Sequence, residues 1–130
     1  MADKTHQTLL KSGVTEWNAW RAAHAGEHPA LADGHLHGLD LMGAKLAEAD
    51  LRRADLRGTN LSDAELAGAD LEGANFFRAI LDRADLAGAS LIGAQFLQCD
   101  QLTAARNWQS ALRDLPLACG APIPPSHARH

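Results

Sequence analysis

Histidine and carboxylate side chains are the residues of this sequence best suited to chemistry. His35 and His37 flank Leu36, and two outward imidazoles at that spacing could share a Zn²⁺ or Ni²⁺ ion. A metal site needs further ligands, and only Asp33 and His28 stand nearby in the sequence. We therefore keep His35 and His37 as weak candidates for a metal site, beside the simpler interpretation of ordinary surface histidines.

Carboxylates are numerous enough to form pairs that resemble a catalytic acid and base. Asp50 and Asp70 would lie about 5 Å apart if residues twenty positions apart fall on neighbouring strands. The sequence has no glycine-rich phosphate loop between a strand and a helix and no nucleophile elbow. A convex rod also offers no cleft that excludes water. We expect no catalytic residue and no cofactor, and predict that the protein is not an enzyme.

A five-residue repeat must position these side chains. Leucine or phenylalanine recurs at every fifth position, usually with a small residue two positions before it and often with Asp or Asn between. In an α-helix this period would spread the leucines round every side, and in a flat strand it would alternate their faces. The thirteen positions, predicted as an inward core ladder, are Leu36, Leu41, Leu46, Leu51, Leu56, Leu61, Leu66, Leu71, Phe76, Leu81, Leu86, Leu91 and Phe96.

A quarter turn of the chain every five residues brings the whole ladder inside. Four units then close a square coil of twenty residues, and successive coils stack into a β-solenoid. Units such as residues 49–53 and 69–73 resemble the Ala-Asp/Asn-Leu-x-x repeat of the pentapeptide-repeat family. This resemblance implies a right-handed quadrilateral (four-sided) β-helix, here of about three coils. Gln101 breaks the series.

Both open ends of such a solenoid need caps, because their apolar interior and strand edges would otherwise be exposed. Trp17 and Trp20 lie three apart in a short predicted helix that resembles the leader of many family members, and we assign them to the N-terminal cap. An aromatic binding surface is the alternative. Trp108 belongs to a predicted C-terminal capping helix. The expected regions are residues 1–33 (helical cap and link), 34–100 (β-helix), 101–115 (helical cap) and 116–130 (flexible tail).

Composition limits the setting of the protein. The chain of 130 residues has a formal net charge of −4, which argues against nucleic-acid binding through a basic surface. We found no apolar leader and no run long enough to span a membrane, so we expect a cytoplasmic protein without membrane contacts. Cys99 falls on an inward position and is predicted to be a buried free thiol, and a disulfide framework is not expected of two cysteines.

Outward apolar residues are the main functional signal. Phe77, Ile92 and Leu97 form a possible interface for an unidentified partner protein or a homodimer. Two other interpretations stay open: scattered surface hydrophobes, or cover by the C-terminal segment. The leading prediction is a non-enzymatic structural and protein-interaction module that presents a rigid solenoid surface.

Two alternative functions stay open. The family resemblance implies that the protein could mimic DNA and bind a type II topoisomerase. A duplex as long as this rod of roughly 16 Å would carry about nine negative charges, more than the chain provides. The second alternative is a metal sensor that uses His35 and His37.

Overall fold

The computed structural model describes residues 4–125. Its helices are short and lie at the two ends of the chain. None of those in the described range is long and apolar enough to cross a bilayer. The helices are α1 (Lys4–Ser12), α2 (Val14–Ala23) and α3 (Cys99–Thr103), with 3₁₀ turns at Trp108–Ser110 and Leu115–Leu117.

Between the helices, parallel bridges pair residues that are twenty positions apart. The series runs from Ala30 with Asp50 to Asn75 with Gln95. Two backbone hydrogen bonds make each bridge: the Asp70 N–H donates to the Ala49 carbonyl (2.9 Å), and the Leu51 N–H donates to the Asp70 carbonyl (2.8 Å). A unit of five residues with a register of twenty gives four sides per coil. The fold is therefore a four-sided parallel β-helix.

The corners of this helix are tight turns. In the unit that begins at Ala49, the Ala54 N–H donates to the Leu51 carbonyl at 3.1 Å, which closes a β-turn. The third residue of that turn, Arg53, has φ 57°, as a type II turn requires. Glycine adopts positive φ without strain, and Gly58 (φ 65°) holds the same place in the next unit. A glycine two positions after the leucine of a unit therefore marks a corner.

The core is one continuous apolar interior that runs along the solenoid. Leucines from all four sides fill most of it, and alanines pack between them. Phe76 and the other ladder residues from Leu36 to Leu91 are at most 1 % exposed. Leu31 is equally buried, and its neighbour Ala30 makes the first bridge. The ladder thus begins one unit earlier than the predicted start at residue 34.

The C-terminal region differs from the prediction of one capping helix over residues 101–115. Only α3 is α-helical, and after it the chain continues as a last, irregular coil that includes the 3₁₀ turn at Trp108–Ser110. Arg106 bridges to Asp85, twenty-one positions back, and Leu112 bridges to Ser90, twenty-two positions back. This coil therefore contains one extra residue before Arg106 and another before Leu112. It can accept them because it is the last coil of the stack.

Cys99 is bonded to Cys119, with the two Cα atoms 5.6 Å apart. The prediction of a buried free thiol is wrong, since the shift in register leaves Cys99 exposed. The prediction of a flexible tail over residues 116–130 also needs correction. Its described part is attached to α3 by this disulfide, and residues 126–130 lie outside the described range.

The N-terminal cap is built by α2. Trp17 is fully buried, and its indole N–H donates to the Lys45 carbonyl at 2.9 Å. Arg21 donates to the carbonyls of Lys45 and Ala47 at 3.3 and 3.1 Å, and also to that of Glu27. These side chains satisfy backbone groups at the open edge of the first coil.

At the C-terminal end, one buried arginine donates hydrogen bonds to several backbone carbonyls. Arg113 is 2 % exposed, and burial lowers the pKa of its guanidinium. That group also lies 5.0 Å from the centre of the half-buried Trp108 ring. It donates at 2.8–3.1 Å to the carbonyls of Gln109, Ala111, Leu117, Ala118 and Pro122.

Candidate interaction surface

Two predicted positions exchange roles where the regular repeat ends. Phe96, predicted to face the core, is 64 % exposed, whereas Leu97, predicted to be a surface residue, is 9 % exposed. Phe96 has φ 58°, so the corner comes two residues early in its unit. Leu97 then enters the core in place of Phe96. Ile92, the third predicted interface residue, is half-buried.

The early corner brings Phe96 next to Phe77. The ring centroids are 5.8 Å apart and the ring planes meet at 74°, an edge-to-face arrangement. Phe77 itself is 47 % exposed, and its N–H donates to Asn75 Oδ1 at 3.0 Å. The guanidinium carbon of Arg78 lies 5.3 Å from the centre of the same ring. Phe77 and Phe96 thus form an exposed aromatic pair.

A notch of about 230 Å³ opens beside this pair. We call it the aromatic notch. Gln101 fixes part of its wall, because its amide group donates to the carbonyls of Phe76 and Ala79, both at 2.9 Å. The amide oxygen of Gln101 accepts the N–H of Gln98 at 2.8 Å. The notch is lined by Phe77, Arg78, Ala79, Phe96, Gln98, Asp100 and Gln101.

Opposite charges flank the aromatic notch. Arg78 and Asp100 both line it, and both are exposed. Within residues 4–125 neither of them takes part in an ion pair. Among the described residues, the Asp100 carboxylate accepts only a backbone N–H, from Gln101 at 2.9 Å. The notch therefore carries one cation and one anion that are available to a partner.

The sequence held a signal for this rearrangement. Leu97 and Leu102 are five positions apart and both are buried, so the leucine period continues after a slip of one residue. The unshifted series instead predicts that Phe96 is buried and that the repeat breaks at Gln101. Ile80 is a further exposed apolar residue, at 43 %, and occupies a place that is usually acidic or amide.

The two candidate histidines lie on the surface of the first coil. His35 and His37 are both exposed, and His37 Nδ1 lies 3.4 Å from Asp55 Oδ2. Across residues 4–125 no group of three or more His, Cys, Asp or Glu side chains is placed to hold a metal ion. A metal-binding role for these histidines stays an untested prediction.

Ion pairs neutralise much of the acidic character of the solenoid surface. Arg57 binds Asp55 in the same unit through two hydrogen bonds of 2.8 and 2.7 Å. Arg53 reaches Asp33 on the previous coil at 2.9 and 3.0 Å. These hydrogen bonds lower the pKa of both Asp55 and Asp33 to about 2. The same kinds of pair join Arg52 to Asp50 and Arg83 to Asp63.

The ion pairs bear on the DNA-mimic prediction. A mimic of duplex DNA needs rows of uncompensated negative charge. Here four aspartates from Asp33 to Asp63 each accept an arginine at 3.0 Å or less. No observation favours the mimic, which stays an untested prediction.

Comparison with known sequence families completes the description of the repeat. The profile of pentapeptide repeats matches eight copies, over residues 40–76 and 69–100. The chain belongs to the pentapeptide-repeat family. Proteins of this family form right-handed quadrilateral β-helices, in agreement with the twenty-residue register. They are generally non-enzymatic repeat scaffolds. A search of curated proteins found no match to this chain.

Solved structures of pentapeptide-repeat proteins also match. The protein alr5209 from Nostoc PCC 7120 is 29 % identical over 82 % of this chain and 93 % of its own, with a TM-score of 0.38. Rfr23 from the cyanobacterium Cyanothece 51142 is 28 % identical over 69 % and 64 %, with a TM-score of 0.34. HetL from Nostoc sp. PCC 7120, which is involved in the regulation of heterocyst differentiation, is 31 % identical over 64 % and 42 %, with a TM-score of 0.23. The chain spans less than two thirds of the latter two proteins.

Proposed function

We propose that this pentapeptide-repeat chain is a non-enzymatic protein-interaction module that binds its partner through the aromatic notch. The single observation that carries the proposal is the exposed Phe77–Phe96 pair. Two large aromatic side chains in contact with each other, yet 47 % and 64 % exposed, leave apolar surface that a partner could cover. Aromatic residues are also enriched in protein interfaces.

The rigidity of the scaffold supports this function. Backbone hydrogen bonds between coils recur on every side, and the interior is filled by leucines that are almost fully buried. The backbone of Phe77 is part of this framework, since its carbonyl accepts the N–H of Gly58 at 2.8 Å, and it therefore loses little conformational freedom on binding, which reduces the entropy cost of association. The ion-paired sides of the solenoid offer a partner little by comparison, because exposed salt bridges contribute little to stability or affinity.

Affinity capture tests the proposal. The full chain, immobilised through a terminal tag, is compared with Phe77→Asp and Phe96→Asp as bait for proteins from the native host. We expect a specific partner, which includes an untagged copy of the chain itself, to be retained by the wild type and lost from both variants. Met42→Asp is the matched control, since Met42 is also apolar and 49 % exposed but lies outside the notch. Equal capture by all four baits would contradict the proposal.

We also propose that the protein resides in an oxidising compartment. We expected a cytoplasmic protein, but the Cys99–Cys119 disulfide argues for an oxidising compartment, because cytosolic thiols are kept reduced. Alkylation of the living cells before lysis, followed by mass spectrometry, distinguishes the two. Alkylated Cys99 and Cys119 would support the cytoplasm, and a disulfide-linked peptide pair would support an oxidising compartment.

A further inference from the structure

The aromatic notch and Phe96 are next to each other on one surface. Phe96 projects with 64 % of its surface exposed, and the notch beside it has a volume of about 230 Å³. A cavity of about 150 Å³ is enough to hold a benzene ring. The notch can therefore receive a phenylalanine side chain, and the surface that contains the notch also supplies one.

A projection next to a matching recess is what a two-fold interface requires. In such an interface the same patch is used by both subunits, so that residue i contacts j and j contacts i. If Phe96 of one copy enters the notch of another, the two-fold axis places Phe96 of the second copy in the notch of the first. Each phenylalanine then loses its exposed surface to the partner.

The charges of the aromatic notch fit the same arrangement. Arg78 and Asp100 flank the notch without an ion-pair partner in the described chain. A partner of a single charge would satisfy one of them and oppose the other. A second copy related by a two-fold axis that passes between the two charges brings Arg78 towards Asp100 and Asp100 towards Arg78, and so satisfies both.

We propose that the aromatic notch binds a second copy of this chain in a two-fold symmetric dimer, with Phe96 of each copy in the notch of the other. This inference rests on the proposed function, since it names the partner of the same surface. It makes Phe96, a residue that the unshifted repeat assigns to the core, the central contact of the interface.

Sedimentation velocity over a concentration series, up to about 0.5 mM, tests the dimer. We expect the full chain to pass from monomer to dimer, and Phe96→Asp to weaken association by about tenfold or more. Asp tolerates the positive φ at this position, so the variant should keep the unfolding midpoint of the wild type. Met42→Asp should associate like the wild type. A wild type that stays monomeric, or a Phe96→Asp protein that associates normally, would overturn the dimer.

Charge reversal tests the two-fold geometry. Arg78→Asp alone places acid against acid at both contacts, and Asp100→Arg alone places base against base. Each should weaken self-association. In a mixed dimer of one copy of each variant, both contacts join an acid to a base. Association in an equimolar mixture of the two variants should therefore return towards the wild-type level. Two variants that each associate weakly and do not recover on mixing would overturn this arrangement.

Affinity capture separates failure of the dimer from failure of the proposed function. A monomeric wild type that retains a different host protein through Phe96 would overturn the dimer and support the interaction module. A wild type that neither dimerises nor retains any protein through the notch would overturn both.

Discussion

The two ends of the solenoid are closed differently. At the N-terminal end, α2 covers the first coil with Trp17 and Arg21. At the C-terminal end, the chain itself forms a last, irregular coil that a disulfide joins to α3. Both ends present backbone N–H and C=O groups along the axis of the solenoid. At each end a buried arginine donates to carbonyls, three of them for Arg21 and five for Arg113.

The difference shows two ways to end a stack of coils. A guanidinium has five N–H donors in a fixed plane, so one arginine can satisfy several carbonyls at once. The N-terminal cap adds the large apolar surface of Trp17. The C-terminal cap contains the half-buried Trp108 and adds a covalent bond instead. We therefore expect the first cap to depend on packing and the second on hydrogen bonds and the disulfide.

Trp17→Ala should have the largest effect, a loss of about 3–5 kcal/mol in the free energy of unfolding. Trp17 is fully buried, and its removal leaves a cavity and takes away one of the two side-chain donors to the Lys45 carbonyl, the other being Arg21. Trp108→Ala, at the other end, should cost only about 1–2 kcal/mol, because that ring is half-buried. Urea denaturation followed by circular dichroism measures both. Equal losses would show that the two caps do not differ in packing.

Arg113→Met should have the next largest effect, a loss of about 2–4 kcal/mol in the free energy of unfolding. The five carbonyls that accept hydrogen bonds from Arg113 would lose a charged donor. Arg21→Met should cost less, because Arg21 serves three carbonyls rather than five. The same denaturation experiment compares the variants, and Arg78→Met on the exposed surface is the control. A larger loss for Arg21→Met than for Arg113→Met would reverse the ranking of the two ends.

Removal of the disulfide by the double change Cys99→Ser and Cys119→Ser should lower the free energy of unfolding by about 3 kcal/mol. The bond closes a loop with a sequence separation of 20, and a loop of this size restricts the unfolded chain by about that amount. Thermal unfolding of the wild type with and without a dithiol reductant gives an independent value. No shift in either experiment would mean that the disulfide does not stabilise the C-terminal end.

The smallest effect should come from the ion pairs between the two caps. The two hydrogen bonds from Arg57 lower the pKa of Asp55 to about 2 in the folded protein, against about 3.9 in an unfolded chain. The stability that this shift contributes is fully present above pH 4 and is lost as the pH falls towards 2. Asp55→Asn should remove this part of the acid destabilisation, by less than about 1 kcal/mol. Unfolding midpoints measured from pH 2 to 6 test it, and unchanged pH dependence would contradict it.

The repeat made the four-sided β-helix predictable, because one side-chain pattern determines register, core and corners together. The helical N-terminal cap was also readable from its two tryptophans. The end of the repeat was not. Whether Phe96 or Leu97 enters the core depends on where the last corner falls, and both choices place a large apolar residue inside. The disulfide depends on the same slip, since it moves Cys99 out of the core.

The aromatic notch was only partly predictable from the sequence. Phe77 was identified from the sequence because its place in an intact unit determines its direction. Phe96 was missed because its place in the repeat predicted burial. Arg78 and Asp100 gained significance only once the structure showed which aspartates already bind an arginine. Pairing across coils depends on side-chain reach, which a one-dimensional pattern does not contain.

The twenty-residue register also restricts how the length of this chain can change. A deletion or duplication of one five-residue unit would keep the core filled but would rotate every later side chain by a quarter turn, and would separate Arg53 from Asp33 or Arg83 from Asp63. A change of twenty residues would restore every alignment. Shorter insertions are compatible only with the last coil, where Arg106 and Leu112 already follow one extra residue each. Insertions and deletions in relatives should therefore come in whole coils within the solenoid and in single residues only at its C-terminal end.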